Sequence, residues 1–217
     1  MSGDLEREKR LAAEAAAELV EDGMSVGLGT GSTAVHFLMA LAARRLSLRC
    51  VATSPATERA ARELGLPLEP FDAGDALPRL DIAVDGADQI SPELWLVKGG
   101  GGAHTREKVV AAAAARFVVV ASSDKPVERI HAPVPLELLR YGLESTLARL
   151  EHAELRDAPA TPDGGVLADW RGPVDDPPTL ARMLAGTPGV VEHGLFPPEL
   201  VSEILVGRGD EVERIAP

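Results

Sequence analysis

The residues from Lys98 to Glu107, Lys-Gly-Gly-Gly-Gly-Ala-His-Thr-Arg-Glu, combine a cation, a run of four glycines and a carboxylate within ten positions. Glycine has no Cβ and reaches φ > 0 freely, so such a run lays its backbone amides against a ligand. Amides turned toward a developing oxyanion stabilise it, and Lys98 adds charge to the same task. Glu107, near a helix start, has a structural reading as a first-turn acid and a functional one as a general base for a carbon-bound proton. Upstream, Asp85-Gly86-Ala87-Asp88 brings two carboxylates to a strand end. As turn residues they need no function, but the pair can also hold sugar hydroxyls or shuttle protons.

A third segment, Gly27-Leu28-Gly29-Thr30-Gly31-Ser32-Thr33, reads as strand, glycines, hydroxyls and helix start. That order presents free N–H groups and the positive end of a helix dipole to an anion such as phosphate. It is neither a Walker A loop, having no Gly-Lys-Ser/Thr, nor a full dinucleotide fingerprint, since Ser32 stands where the third glycine would be. Its alternative is a tight turn capped by Ser32 or Thr33. Lys125, in Ser122-Ser123-Asp124-Lys125-Pro126, follows a strand and is a further candidate cation. Lysine is scarce: only Lys9, Lys98, Lys108 and Lys125 among 22 basic residues. A lysine retained where arginine is the default hints at a compact point charge. The histidines are scattered and form no ligand pair, so a transition-metal site is not expected.

Around these loops the chain must supply a scaffold. At 217 residues it can bury a substantial core. Its net charge of −12 argues against nucleic acid, which needs a basic face, and 3% aromatic residues leave few stacking platforms for single strands. Cys50, alone and inside an apolar run, reads as a buried core residue in a reducing compartment. The start, MSGDLEREKR, has no apolar core of a signal peptide, and no apolar run is long enough to span a bilayer. A cytoplasmic protein without membrane contact is expected.

The patterning predicts a helix over 4–21 with an apolar stripe of Leu5, Ala12, Ala16 and Leu19, and Lys9 on that stripe. Strands follow at 24–28, 48–53, 80–84, 94–97 and 117–121, with helices at 33–45, 56–64 and 107–116. Strands alternating with helices through glycine-rich turns argue for an α/β fold, a Rossmann-like open sheet of mostly parallel strands with helices on both faces. Ligands of such sheets bind beyond the carboxyl ends of the strands, and all three loops follow strands. After Pro126 the order becomes strand 133–138, helix 141–152, strands 154–157 and 166–170, helix 178–184 and strand 190–192. That β-α-β-β-α-β order is ferredoxin-like. A last strand at 204–206 returns to the first sheet. The expected division is a catalytic domain of residues 1–130 and 197–217, with a small ferredoxin-like α+β domain over 131–196 inserted near the C-terminus.

Taken together, Gly-Thr-Gly-Ser-Thr-Ala (29–34), Asp-Gly-Ala-Asp (85–88), Lys-Gly-Gly-Gly (98–101), Thr-Arg-Glu-Lys (105–108) and Pro-Gly-Val-Val…Gly-Leu-Phe (188–196) resemble ribose-5-phosphate isomerases of the A type, in the family's order along the chain. The resemblance implies interconversion of ribose 5-phosphate and ribulose 5-phosphate through a cis-enediol(ate), with no metal or organic cofactor, in the pentose phosphate pathway. It implies Glu107 as base, Asp85 as the acid of ring opening and proton traffic, and Asp88 and Lys98 as charged partners. Thr30, Gly31, Ser32, Thr33, Gly86, Ala87, Gly99, Gly100, Gly101, Lys125 and Lys9 then fall among substrate-binding positions, with Lys9 near the phosphate. A homodimer or homotetramer is implied as well. Gln89, Gly102, His104 and Pro55 depart from the family's common pattern. The residues alone leave two alternatives open: a non-catalytic sugar-phosphate sensor, and a sugar-phosphate deaminase or CoA transferase of the same broad fold group.

Overall fold

The computed structural model describes residues 2–72, 77 and 79–217. In chain order the elements are α1 (Ser2–Ala17), β1 (Ser25–Leu28), α2 (Ser32–Ala43), β2 (Arg49–Ala52), α3 (Pro55–Glu63), β3 (Leu80–Gly86), β4 (Gln89–Ile90), β5 (Leu96–Val97), α4 (His104–Ala113) and β6 (Ala114–Ser122). They continue as β7 (Val134–Leu138), α5 (Leu143–Leu147), β8 (Ala153–Leu155), β9 (Val166–Trp170), α6 (Pro177–Ala185), β10 (Val190–His193), β11 (Leu195–Phe196), β12 (Glu203–Arg208) and β13 (Glu211–Ile215). The chain forms two compact units, one of 1–87, 106–125 and 199–217, the other of 88–105 and 126–198.

The first unit carries a six-stranded sheet in the order β13-β12-β6-β3-β1-β2, parallel except for β13, which hairpins back on β12. Side chains alternate across a strand. Val26 and Leu28 of β1, Ile82 and Val84 of β3, Val118 and Val120 of β6 and Leu205 of β12 accordingly share one core with Phe37, Leu38 and Leu41 of α2 and the alanines of α1. Cys50 lies in this core, and burial pushes its thiol up to about 12, which leaves it an inert packing group.

The buried face of α1 is rotated from the expected stripe. The helix ends at Ala17, short of the expected 21; Glu8, Ala12, Ala13, Ala16 and Ala17 are buried, Leu5 is half-buried at the edge, and Leu19 and Val20 fall beyond it. A carboxylate opening the buried face is invisible to a count of apolar positions. The predicted strand 80–84 runs on through Asp85 and Gly86, because the backbone stays in register with β6 to Gly86↔Val120. Helix α4 starts three residues before the predicted 107 and passes into β6 without a loop.

The second unit holds two sheets. One is four-stranded and antiparallel, in the order β10-β7-β9-β8, with α5 and α6 giving the β-α-β-β-α-β succession. Its core joins Val134, Leu136 and Leu138 to Ala168, Trp170, Leu180 and Leu184. The helix expected over 141–152 shrinks to Leu143–Leu147, since Gly142 takes φ 71 before it and the chain turns after Ala148. The other sheet, β11-β5-β4, is a three-stranded antiparallel ribbon. The strand expected over 94–97 belongs here and not to the parallel sheet, and it begins only at Leu96, after Leu94 at φ 64. Only two of the three chemistry-bearing loops therefore follow strands of the parallel sheet.

Candidate active site

In the first unit the loops after β1 and β3, neighbouring parallel strands, are tied by one carboxylate. Asp85, 3% exposed, accepts through Oδ1 from the Thr30 N–H at 3.0 Å and the Gly86 N–H at 2.7 Å. Gly29 makes this possible, for any Cβ there would collide with the Asp85 carboxylate. The Thr30 hydroxyl lies within 2.9 Å of those of Thr53, Ser54 and Thr57. Thr57 and Thr53 donate in turn to the Gly29 and Leu28 carbonyls. Sequence reasoning passed over this hydroxyl cluster, although Thr-Ser-Pro-Ala-Thr directly after a strand, with Ser54 capping α3, was the available signal.

The cap of α2 is Gly31, with no side-chain bond, so the alternative reading of Ser32 or Thr33 as N-cap is corrected. Its φ of 122 lies in the region that favours glycine. Ser32 is exposed and Thr33 buried. An uncapped, accessible N-terminus of a 12-residue helix leaves its first-turn N–H groups and dipole for an anion.

Two cations of this unit are held by neighbours. Lys9 Nζ donates to Glu6 at 2.6 Å and Lys125 pairs with Asp124 at 3.2 Å. The Lys125 turn is anchored from behind. Buried Glu8 accepts from the Ser123 N–H at 2.9 Å and hydroxyl at 2.6 Å through Oε2, and from the Gly209 N–H at 2.9 Å through Oε1. These bonds, that of Gly209 foremost, hold the Glu8 carboxyl below its ordinary value. Glu107, 5% exposed, stands in the first turn of α4.

In the second unit the glycine loop is a built object. Lys98 is buried, its N–H donates to Gly194 O at 2.9 Å, and its Nζ stands 5.5 Å from the Phe196 ring centroid. The Gly102 N–H closes a turn on Gly99 O at 2.9 Å. Gly99, at φ 99, lies against the fully buried His104 ring, where a Cβ has no room. Asp88 Oδ2 accepts the Gly100 N–H at 2.8 Å, so that amide is used by the protein itself. Gly100 and Gly101 are exposed. Gln89 exchanges two hydrogen bonds with the His131 backbone, at 2.8 and 2.9 Å, which gives that departure from the family pattern a structural role. Thr105 and Thr161 both donate to the buried Glu137.

The first unit thus holds a helix start without a side-chain cap and a buried carboxylate at a second helix start, and the second unit holds a hydrogen-bonded glycine loop next to a buried lysine. A family model described as ribose 5-phosphate isomerase A (phosphoriboisomerase A) matches residues 49–211. A ribose-5-phosphate isomerase A from Caulobacter vibrioides is 47% identical over 227 aligned residues, covering 97% of this chain and 98% of that protein. Among solved structures, the ribose 5-phosphate isomerase A from Neisseria gonorrhoeae superposes with a TM-score of 0.92 at 30% identity, covering 98% of this chain and 97% of the other. A D-ribose-5-phosphate isomerase in complex with phospho-erythronic acid superposes at 0.91 with 32% identity, covering 98% and 99%.

Proposed function

The chain belongs to the ribose 5-phosphate isomerase A family, and on that premise we propose that Glu107 is the general base of the D-ribose 5-phosphate/D-ribulose 5-phosphate interconversion. The protein is an isomerase. Glu107 takes the proton from C2 of the open aldose and returns it to C1, through a cis-enediolate. Asp85 serves ring opening and proton traffic on the sugar oxygens. Lys98 and the glycine-loop amides meet the charge that develops on the enediolate oxygens. Asp88 holds the loop in the shape this needs.

Phosphate is gripped by the loop of Thr30, Gly31, Ser32 and Thr33, with Lys125 and Lys9 as cations. Binding energy at the far end of the substrate then positions C1 and C2. Gly86 and Ala87 line the sugar. The reaction runs without metal or organic cofactor. The enzyme works in the cytoplasm, in the non-oxidative pentose phosphate pathway, as a homodimer or homotetramer. The acidic chain supports a reading without nucleic acid, and none of its helices, among the described residues, is long and apolar enough to cross a membrane.

The observation that carries the base assignment is a carboxylate 5% exposed in the first turn of α4, directly after the glycine loop. The test is turnover of ribose 5-phosphate in EDTA, wild type against Glu107→Gln. The variant is expected to lose about 10²–10⁴ in kcat with its fold intact, the usual weight of a positioned acid–base group. Near-normal turnover by Glu107→Gln would overturn the base. A wild type that binds ribose 5-phosphate but does not turn it over would overturn the catalytic reading in favour of a sensor.

A further inference from the structure

Arg156 lies 56 residues beyond Gly100 in sequence and belongs to none of the motifs. Its Nη1 donates to Gly99 O at 3.0 Å and to Gly100 O at 3.1 Å, while its Nη2 donates to Asp169 Oδ1 at 2.6 Å. Both side chains are largely buried, at 18% and 11% exposed, and Asp169 also has Arg171 at 3.9 Å. A trans peptide points its C=O and N–H in opposite directions. The Gly99–Gly100 peptide is thus gripped from both sides, by Arg156 at its oxygen and by Asp88 at its nitrogen. The next peptide, Gly100–Gly101, is gripped at its oxygen by the same guanidinium, which turns the N–H of exposed Gly101 the other way.

Glycine peptides flip easily because both signs of φ are open to them. A run of four would sample many amide orientations, and an oxyanion donor is effective only when preorganised. We propose that Arg156, fixed by Asp169, is the positioning residue that sets the amide orientation of the glycine loop, so that the Gly101 N–H is presented to the enediolate. The inference rests on the isomerase reading given above. Arg156 touches no reacting atom. It acts by excluding flipped peptides, and its planar fork suits two adjacent carbonyls and a carboxylate at once, as an ammonium does not.

The experiment compares Arg156→Met, Arg156→Lys and Asp169→Asn with wild type in kcat, KM for ribose 5-phosphate, and inhibition by phospho-erythronic acid, a sugar-acid phosphate whose carboxylate presents anionic oxygen where the enediolate would develop it. Arg156→Met is expected to lose about 10- to 100-fold in kcat, less than the 10²–10³ of deleting an oxyanion donor outright, with KM within about threefold. Inhibition by phospho-erythronic acid weakens by the same factor, while inhibition by inorganic phosphate is unchanged. Arg156→Lys regains part of kcat, and Asp169→Asn shows a milder loss of the same kind. These two keep the test open if the methionine variant does not fold.

Unchanged kcat in the variants overturns the proposal. So does a loss that appears in KM, or in melting temperature, without the matched weakening of phospho-erythronic acid, since that is the mark of a merely structural ion pair. Glu107→Gln run in parallel separates the two ideas. Full turnover there with loss in Arg156→Met removes the base assignment and leaves the loop assignment standing, and the reverse pattern does the opposite.

Discussion

Glu107 and Lys125 differ in burial as they differ in proposed role: the proposed base is 5% exposed, the proposed phosphate cation is part-exposed and paired with Asp124. Lys125→Ala is expected to raise KM about tenfold, roughly 1.4 kcal/mol of binding lost equally from ground and transition states, with kcat within about twofold. Steady-state kinetics decide it, and a fall in kcat at constant KM would contradict the assignment. The sequence singles out such candidates because rare types stand out: four lysines, a glycine run, two aspartates around a glycine. What stayed hidden were residues whose effect depends on a distant partner. Arg156 is one arginine among many until its guanidinium meets Gly99 and Gly100. Thr53 and Thr57 look like ordinary strand-end and cap hydroxyls until Thr30 joins them.

At the scale of elements, α1 does more than cover the sheet. Through Glu8 it fixes both the turn after β6 and the β12–β13 turn, by Ser123 and Gly209. Glu8→Ala passes the half-buried Ser123 amide and the exposed Gly209 amide to water, and the lost hydrogen bonds to a charged acceptor are expected to cost about 1.5–3 kcal/mol of stability. Because the released turn is the one that carries Lys125, KM should rise with kcat kept. Urea unfolding and kinetics on the same preparation check both halves. The type and order of the elements were readable from alternation and helical period, since parallel strands buried on both faces announce themselves as apolar runs. Their ends were not. The ribbon of β4, β5 and β11 escaped because three strands of two residues hold no period to detect, and its pairing reaches from Leu96 to Phe196. Helix α5 was overextended because Gly142 and the turn after Ala148 interrupt a pattern that stays helical in composition.

For the whole molecule, buried or bonded carboxylates set the acid limit. The folded chain holds the Asp81 carboxyl below its ordinary 3.8, through the Ser25 N–H and hydroxyl, and Glu8 below its ordinary 4.5. A depressed folded-state value means that the unfolded chain binds more protons in this range. The stabilisation is therefore complete above the ordinary values and drains away as pH falls through the folded ones. Urea midpoints are expected to hold steady from about pH 7 to 5 and to fall below about pH 4.5, with Glu8→Gln flattening the slope. A midpoint that rises on acidification would reverse the sign. The chain crosses between the two units four times, and three crossings fall inside or beside the motifs: after Ala87, after Thr105 and after Lys125. Neither unit is a contiguous stretch of gene. A single recombination cannot move one without cutting Asp85 from Asp88, Lys98 from Glu107, or β5 from β11. The motif segments 85–88 and 98–107 are each divided between the two units, so neither unit can be transplanted as one continuous segment with both motifs whole.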